Sequence, residues 1–345
     1  MQISEEIAGV SAYFSLDREG TQVFATLMYS LTGDYDPIIG ENIYTGEMSA
    51  RIGGDSATIP DSIFFDLLYL ELTATLVPGV AEASSYSMKD LDGPDFKYSF
   101  NVVLFSDAAN FGGTVKADYV FGSSFADNIS GGRGDDIIEA GSGKDTLAGG
   151  NGNDTLDGGS RDDRLNGGNA NDWLSGDLGN DRLSGGFGAD TLSGYDGDDA
   201  LYGGGAKDSL GGGEGADTVF GGDGDDTIDG WAGGDRLAGG NGRDQFYYEV
   251  LADSRGTGAG RDVIEDFNTA EDLIDLHDID AKPGAASNEA FAFIGTDAFT
   301  AAGQVRFQRV GDNCLVLVNA NGAGGAEMTI KLSGVDAVTE ANFIL

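Results

Sequence analysis

The stretch GGNGNDTLD, residues 149–157, puts Gly at positions one, two and four, Asp at position six and an apolar residue at position eight. Alone it reads as a tight turn followed by a scrap of strand. Nine residues on, the pattern returns as GGSRDDRLN, then GGNANDWLS, GDLGNDRLS, GGFGADTLS, GYDGDDALY, GGGAKDSLG, GGEGADTVF, GGDGDDTID, GWAGGDRLA and GGNGRDQFY. Upstream it continues through AGSGKDTLA, GGRGDDIIE, GSSFADNIS and the degenerate GTVKADYVF that starts at Gly113. That makes fifteen nonamers in unbroken register over residues 113–247. Position six is always Asp, from Asp118 to Asp244, and position eight is always apolar, from Val120 to Phe246. A flexible Gly/Asp linker has no reason to hold an apolar residue in register fifteen times.

The pattern G-G-x-G-x-D-x-U-x resembles the calcium-binding nonapeptide of RTX (hemolysin-type) secreted bacterial proteins. That resemblance implies a parallel β-roll with calcium (Ca2+), several ions per chain, held between stacked loops. The chemistry of the residues agrees. Gly tolerates positive φ, so G-G-x-G-x-D can curl tightly and aim carbonyls inward, and x-U-x forms a very short strand. Two nonamers make one turn of a flattened spiral, so loops stack at i and i+18, about 4.8 Å apart. Calcium takes six to eight oxygens, more than one such loop supplies but within reach of two.

In the RTX arrangement each ion takes carbonyls and the position-six Asp from one loop and from the loop eighteen residues later. Carried onto this chain, the arrangement implies two ladders. One is Asp136, Asp154, Asp172, Asp190, Asp208 and Asp226; the other is Asp127, Asp145, Asp163, Asp181, Asp199, Asp217 and Asp235. The clearest loop glycines are Gly131, Gly134, Gly149, Gly152, Gly185, Gly188, Gly221 and Gly224. Arg161, Ala170 and Ala206 stand where position four wants Gly, so weaker sites are expected there. Lys116 and Phe125 hold that position in the first two nonamers, so the ladder is expected to begin near Gly131. One inward side chain per nonamer makes a thin core, and 26 acids face 9 bases in this segment. Without cations it should be largely unfolded; with calcium, binding energy becomes folding energy.

The whole chain has 345 residues and a net charge of −40, with acids spread along its length. That charge argues against nucleic acid and anionic membranes as partners and suits a calcium-rich exterior. The single Cys314 rules out a disulfide within the chain; in NCLVLV it reads as a buried small hydrophobe. MQISEEIAGVSAYFSL lacks the basic and apolar regions of a Sec signal, and no apolar run is long enough to span a membrane. Residues 248–345 resemble the C-terminal part of serralysin-type RTX proteins in GRDVIEDFNTAEDLIDL, AFAFIGTDAFTAAGQVRF, MTIKLSGV and the closing FIL. This implies a β cap on the roll and an uncleaved export address read by type I secretion machinery. The expected localisation is therefore extracellular. Within residues 262–275, Asp262, Asp266, Asp272 and Asp275 are candidates for one further calcium.

Residues 1–112 follow a different grammar. TQVFATLMYSL, LLYLELTATLV and FNVVLFS alternate with period two, and TGDYDP, IGGDS and DGPD read as turns. An antiparallel β-domain, a sandwich, is expected, and the fold class is all-β throughout. The domains are then 1–112, 113–247 and 248–345. No H-E-x-x-H or G-x-S-x-G occurs, and the one His is His277, so neither a His-ligated zinc protease nor a Ser-His-Asp hydrolase is expected. The leading function is a secreted calcium-binding protein whose N-terminal domain binds an extracellular glycan or surface. The alternatives are a polysaccharide-active enzyme using N-terminal carboxylates and, third, a membrane-active toxin.

Overall fold

The computed structural model describes residues 110–345 apart from 256–259, 284–288 and 323. Before residue 110 it describes strand backbones only. The chain falls into two compact units: residues 1–69 with 90–94, and residues 70–89 with 95–345. In the first, strands Gln2–Ile7, Val10–Glu19, Gln22–Thr32 and Ile43–Ile52 pair antiparallel in sequence order. The expected alternation therefore forms strands. Its buried face and the second layer of a sandwich lie outside the described residues.

The second unit is a parallel β-solenoid of about eight turns over residues 110–246. Alternate nonamers fall into two sheets. One contains Asn128–Arg133, Thr146–Asn151, Arg164–Asn169, Arg182–Phe187, Ala200–Gly205, Thr218–Asp223 and Arg236–Asn241; we call it the first sheet. The second contains Ile137–Glu139, Thr155–Ser160, Trp173–Leu178, Thr191–Asp196, Ser209–Gly215, Thr227–Gly233 and Gln245–Tyr247. Each strand pairs with the one eighteen residues on, as Leu165 does with Leu183 and Leu183 with Leu201.

The period explains the core. Positions seven and nine point out of each strand and position eight points in, because side chains alternate along an extended chain. All fifteen position-eight residues, from Val120 to Phe246, are at most 3 % exposed and form one continuous core. Their neighbours at position seven, such as Thr146, Arg164 and Arg182, are exposed.

Glycine serves two different ends here. Gly204, at position two, has φ +118°, and a Cβ there would lie 2.2 Å from the carbonyl oxygen of Gly186 one turn below. Gly185, at position one, has no positive φ; a Cβ would instead lie 2.3 Å from Oδ2 of Asp190. Conformational freedom therefore accounts for position two but not for position one, where the need is steric: its glycine makes room for the carboxylate.

Among the described residues, six other than glycine adopt the left-handed conformation: Arg161, Ala170 and Ala206 at position four, and Asp177, Tyr195 and Trp231 at position two. The stack thus holds the loop shape even where sequence departs from it, at about 1–2 kcal/mol of strain per residue. Ala206→Gly is therefore expected to stabilise the folded roll by about 1 kcal/mol, seen as a higher Tm in saturating calcium. A lower Tm would contradict the left-handed assignment of φ 78° at that residue.

The C-terminal region extends the solenoid as well as covering it. Val263–Ile264 and Met328–Leu332 add in parallel to the first sheet, and Leu273–Asp275 and Phe343–Ile344 to the second. Gln304–Val310 and Asn313–Asn319 then complete an antiparallel edge with Met328–Leu332. Ile264, Phe267, Ile274, Val316, Val318 and Ile330 prolong the core. A solenoid end left bare would expose both edge and core. Cys314 is fully buried in this edge, and burial pushes its thiol up to about 11.

Candidate metal centre

Each turn carries its position-six Asp where the loop re-enters the strand. These aspartates are buried, 0–3 % exposed from Asp118 to Asp244. One oxygen has a fixed partner: from Asp136 to Asp244, Oδ1 accepts the main-chain N–H of the Asp eighteen residues earlier, at 2.7–3.0 Å. Two continuous columns result. One runs Asp118, Asp136, Asp154, Asp172, Asp190, Asp208, Asp226 and Asp244; the other holds Asp127, Asp145, Asp163, Asp181, Asp199, Asp217 and Asp235. They contain the two sets that the RTX arrangement implies and extend the first by Asp118 and Asp244.

The second oxygen decides the chemistry. Oδ2 of every position-six Asp from Asp136 to Asp244 is buried and accepts no hydrogen bond. Carboxylate oxygens are strong acceptors, and a buried one without a partner is costly. Here they recur each turn, about 4.8 Å apart, with like charge. Burial lifts Asp136, Asp172, Asp181, Asp208 and Asp217 to about 7, Asp163 to about 8 and Asp235 to about 9. Asp199 and Asp244 rise to about 6, and Asp145, Asp154, Asp190 and Asp226 also rise. Neighbouring aspartates add to several of these shifts, while the main-chain N–H bonds oppose them.

Such a column is satisfied by protons or by cations. Among the described residues no three His, Cys, Asp or Glu side chains converge as a metal cluster. A hard cation would therefore take one or two carboxylate oxygens and draw the rest from loop carbonyls, a donor set that suits calcium. Position-one glycines, among them Gly131, Gly149, Gly185 and Gly221, make room for Oδ2. Position-four glycines Gly134, Gly152, Gly188 and Gly224 hold φ between +106° and +147°. All eight shape the cradle through their backbone.

Asp127 differs from the other candidates. Its Oδ2 accepts the N–H of Ser123 at 2.7 Å and its carboxylate meets Ser123 Oγ at 3.1 Å. Asp118 is held the same way by Thr114. Partnerless oxygens thus begin at Asp136, in the nonamer that opens at Gly131.

The ladders also run beyond the repeats. Asp235 N–H donates to Asp262 Oδ1 at 3.0 Å, 27 residues on, and Asp244 N–H to Asp272 Oδ1 at 3.1 Å, 28 residues on. The signal was present as D-V-I and D-L-I, the same Asp-x-apolar triplet that fills positions six to eight of each nonamer, but at a spacing that hides it. Asp262, Asp266, Asp272 and Asp275 do not gather round one point. Asp262 and Asp272 cap different ladders, Asp266 accepts the N–H groups of Gly239 and Gly240 at 3.0 Å, and Asp275 holds His277 Nδ1 at 2.7 Å. His277 is exposed, and the Asp275 bond raises its pKa.

The family described as RTX calcium-binding nonapeptide repeat (4 copies) matches at residues 113–147, 121–156, 148–183, 175–210 and 211–246. The chain carries RTX calcium-binding nonapeptide repeats. Among solved structures, the chain is similar to the AlgE6R3 subunit of the Azotobacter vinelandii mannuronan C5-epimerase. Identity is 29 %, covering 44 % of this chain and 80 % of that one, with a TM-score of 0.34. The AlgE6R2 subunit of the same enzyme is similar at 25 % identity, covering 52 % of this chain and 91 % of that one, TM-score 0.27. No curated protein matches the chain.

Proposed function

We propose that this is a secreted protein whose RTX roll binds several calcium ions along both aspartate ladders and solidifies when it meets them outside the cell. The observation that carries the reading is the unbroken file of buried, partnerless Oδ2 atoms from Asp136 to Asp244. The RTX repeats supply the identity of the ion, and the aspartates from Asp136 to Asp235 are its proposed ligands.

Export through type I machinery, guided by residues 248–345, follows from the same reading. A chain kept unfolded by low internal calcium can be threaded outward and then locked by high external calcium. Among the described residues no helix is long and apolar enough to cross a membrane. We assign residues 113–247 to calcium, 248–345 to capping and export, and 1–112 to binding an extracellular glycan or surface.

Calcium added to stripped protein is expected to raise β-type circular dichroism cooperatively, since each loop serves two ions. Magnesium at equal concentration should be far weaker, because it demands tight octahedral geometry and keeps its waters. Equal responses to the two ions would contradict the calcium assignment. Glycan-array retention by the full chain, without reducing-end release, tests the role of residues 1–112; release of reducing ends would assign it to catalysis.

A further inference from the structure

The outward faces of the two sheets differ in charge. Between residues 128 and 247 the strands of the first sheet carry Arg133, Arg164, Arg182 and Arg236, against the single acid Asp223. The strands of the second carry Glu139, Asp157, Asp177, Asp196 and Glu214, with Asp229 buried, and no base. In a chain of net charge −40, every strand-borne base of the roll belongs to the first sheet.

Arg164 and Arg182 are register partners on adjacent strands, so two exposed guanidinium side chains start about 4.8 Å apart. Like charges so placed are unfavourable, yet Arg182 turns to an aromatic ring. Its guanidinium lies 4.3 Å from the centre of Tyr202, and Nη1 donates to the Tyr202 hydroxyl at 3.0 Å. Tyr202 stacks on Phe220 at 5.4 Å, and Phe187, on the Arg182 strand, is 74 % exposed. Elsewhere bases do find acids: Arg236 pairs with Glu265 at 2.7 Å and Lys144 with Asp162.

From this geometry we infer that the outer face of the first sheet, around Arg164, Arg182, Tyr202 and Phe220, is a binding surface for an acidic polysaccharide carrying carboxylates. Guanidinium forks match carboxylates bidentately, and the stacked Tyr202 and Phe220 rings hold the Arg182 fork in place. The sheet repeats at the rung spacing of about 4.8 Å, which suits a linear chain lying along it. Nucleic acid fits poorly, since phosphate tracking needs a longer basic stripe. The acidic second sheet of another copy is the rival occupant. Such head-to-tail stacking would not close, and the net charge of each copy opposes it. The inference rests on the roll being folded by calcium and is independent of what residues 1–112 bind.

The test is calorimetry on the full calcium-loaded chain, with oligogalacturonides too short to gel and cello-oligosaccharides of equal length as the neutral arm. Wild type is expected to bind the uronides and not the neutral chains. Arg164→Gln with Arg182→Gln should weaken binding about ten-fold or more, with circular dichroism and the calcium midpoint unchanged. Arg182→Lys should restore only part, because the ammonium neither forks nor stacks as well. Equal binding by the double variant, equal binding of neutral chains, or no uronide binding by a wild type whose circular dichroism shows a folded roll would overturn the inference. So would a double variant that loses concentration-dependent self-association instead of glycan affinity. A roll that fails to fold in calcium would strike the calcium reading, and circular dichroism separates that failure from the others.

Discussion

Stripped of calcium, the roll is expected to be unfolded at pH 7.5 and to regain β structure as the pH is lowered to about 5. The sign follows from the aspartates. Their unfolded carboxyls titrate near 3.8, and in the fold burial raises nine of them to values between about 6 and about 9. A raised pKa gives stability that is fully present below the unfolded value and lost as pH climbs through the folded one. The metal-free fold therefore loses support between about pH 4 and about pH 9, most steeply at about pH 5 to 6, where the unfolded carboxyls are ionised and the folded ones still hold their protons. Calcium reverses the dependence, because it binds the ionised form and must displace the proton. Circular dichroism of stripped protein, taken above the pI of about 4.1 to avoid precipitation, checks the point. A metal-free spectrum unchanged between pH 7.5 and 5 would contradict it.

Asp190→Asn and Asp190→Ala are expected to part company. Asp190 Oδ1 accepts the N–H of Asp172 at 2.8 Å, its own N–H donates to Asp208 Oδ1 at 2.8 Å, and its Oδ2 fills the space beside Gly185. Asn keeps an oxygen for Asp172 but removes the charge, so the metal-free protein at neutral pH should be slightly more stable. Its calcium midpoint should nonetheless rise several-fold, because two neighbouring sites lose an anionic ligand. Ala removes ligand and acceptor together; it leaves the Asp172 N–H buried and unpaired, which costs a further 1–3 kcal/mol or so. Chelator-free titrations followed by circular dichroism separate the two. An Asn variant with an unshifted midpoint would remove Asp190 from the ladder.

The nonamer made most of the solenoid legible. A residue that is apolar every ninth position must face one way in every short strand, and this alone places Val120 through Phe246 in the core. Asp at position six gave both ladders, because an eighteen-residue turn sorts alternate nonamers into alternate columns. Other features were hidden for physical reasons. The ladders reach Asp262 and Asp272 across breaks of 27 and 28 residues, where the inserted chain destroys the period that betrays the rest. The role of Gly185 depends on a carboxylate five residues later packing back against it, a contact local propensity does not encode. Charge sidedness at Arg164 and Arg182 also follows from the two-nonamer turn, but only once the strands are assigned to sheets. Residues 1–112 announced strands without announcing their partners, since period two gives a face and not a topology.

The most direct measurement is small-angle scattering of the full chain at pH 7.5, calcium-stripped and then titrated with calcium, with limited proteolysis read in parallel. The account predicts an expanded, readily cleaved segment between residues 113 and 247 that contracts cooperatively and becomes protease-resistant as the ion is added. A stripped chain that is already as compact and as resistant as the loaded one would contradict it.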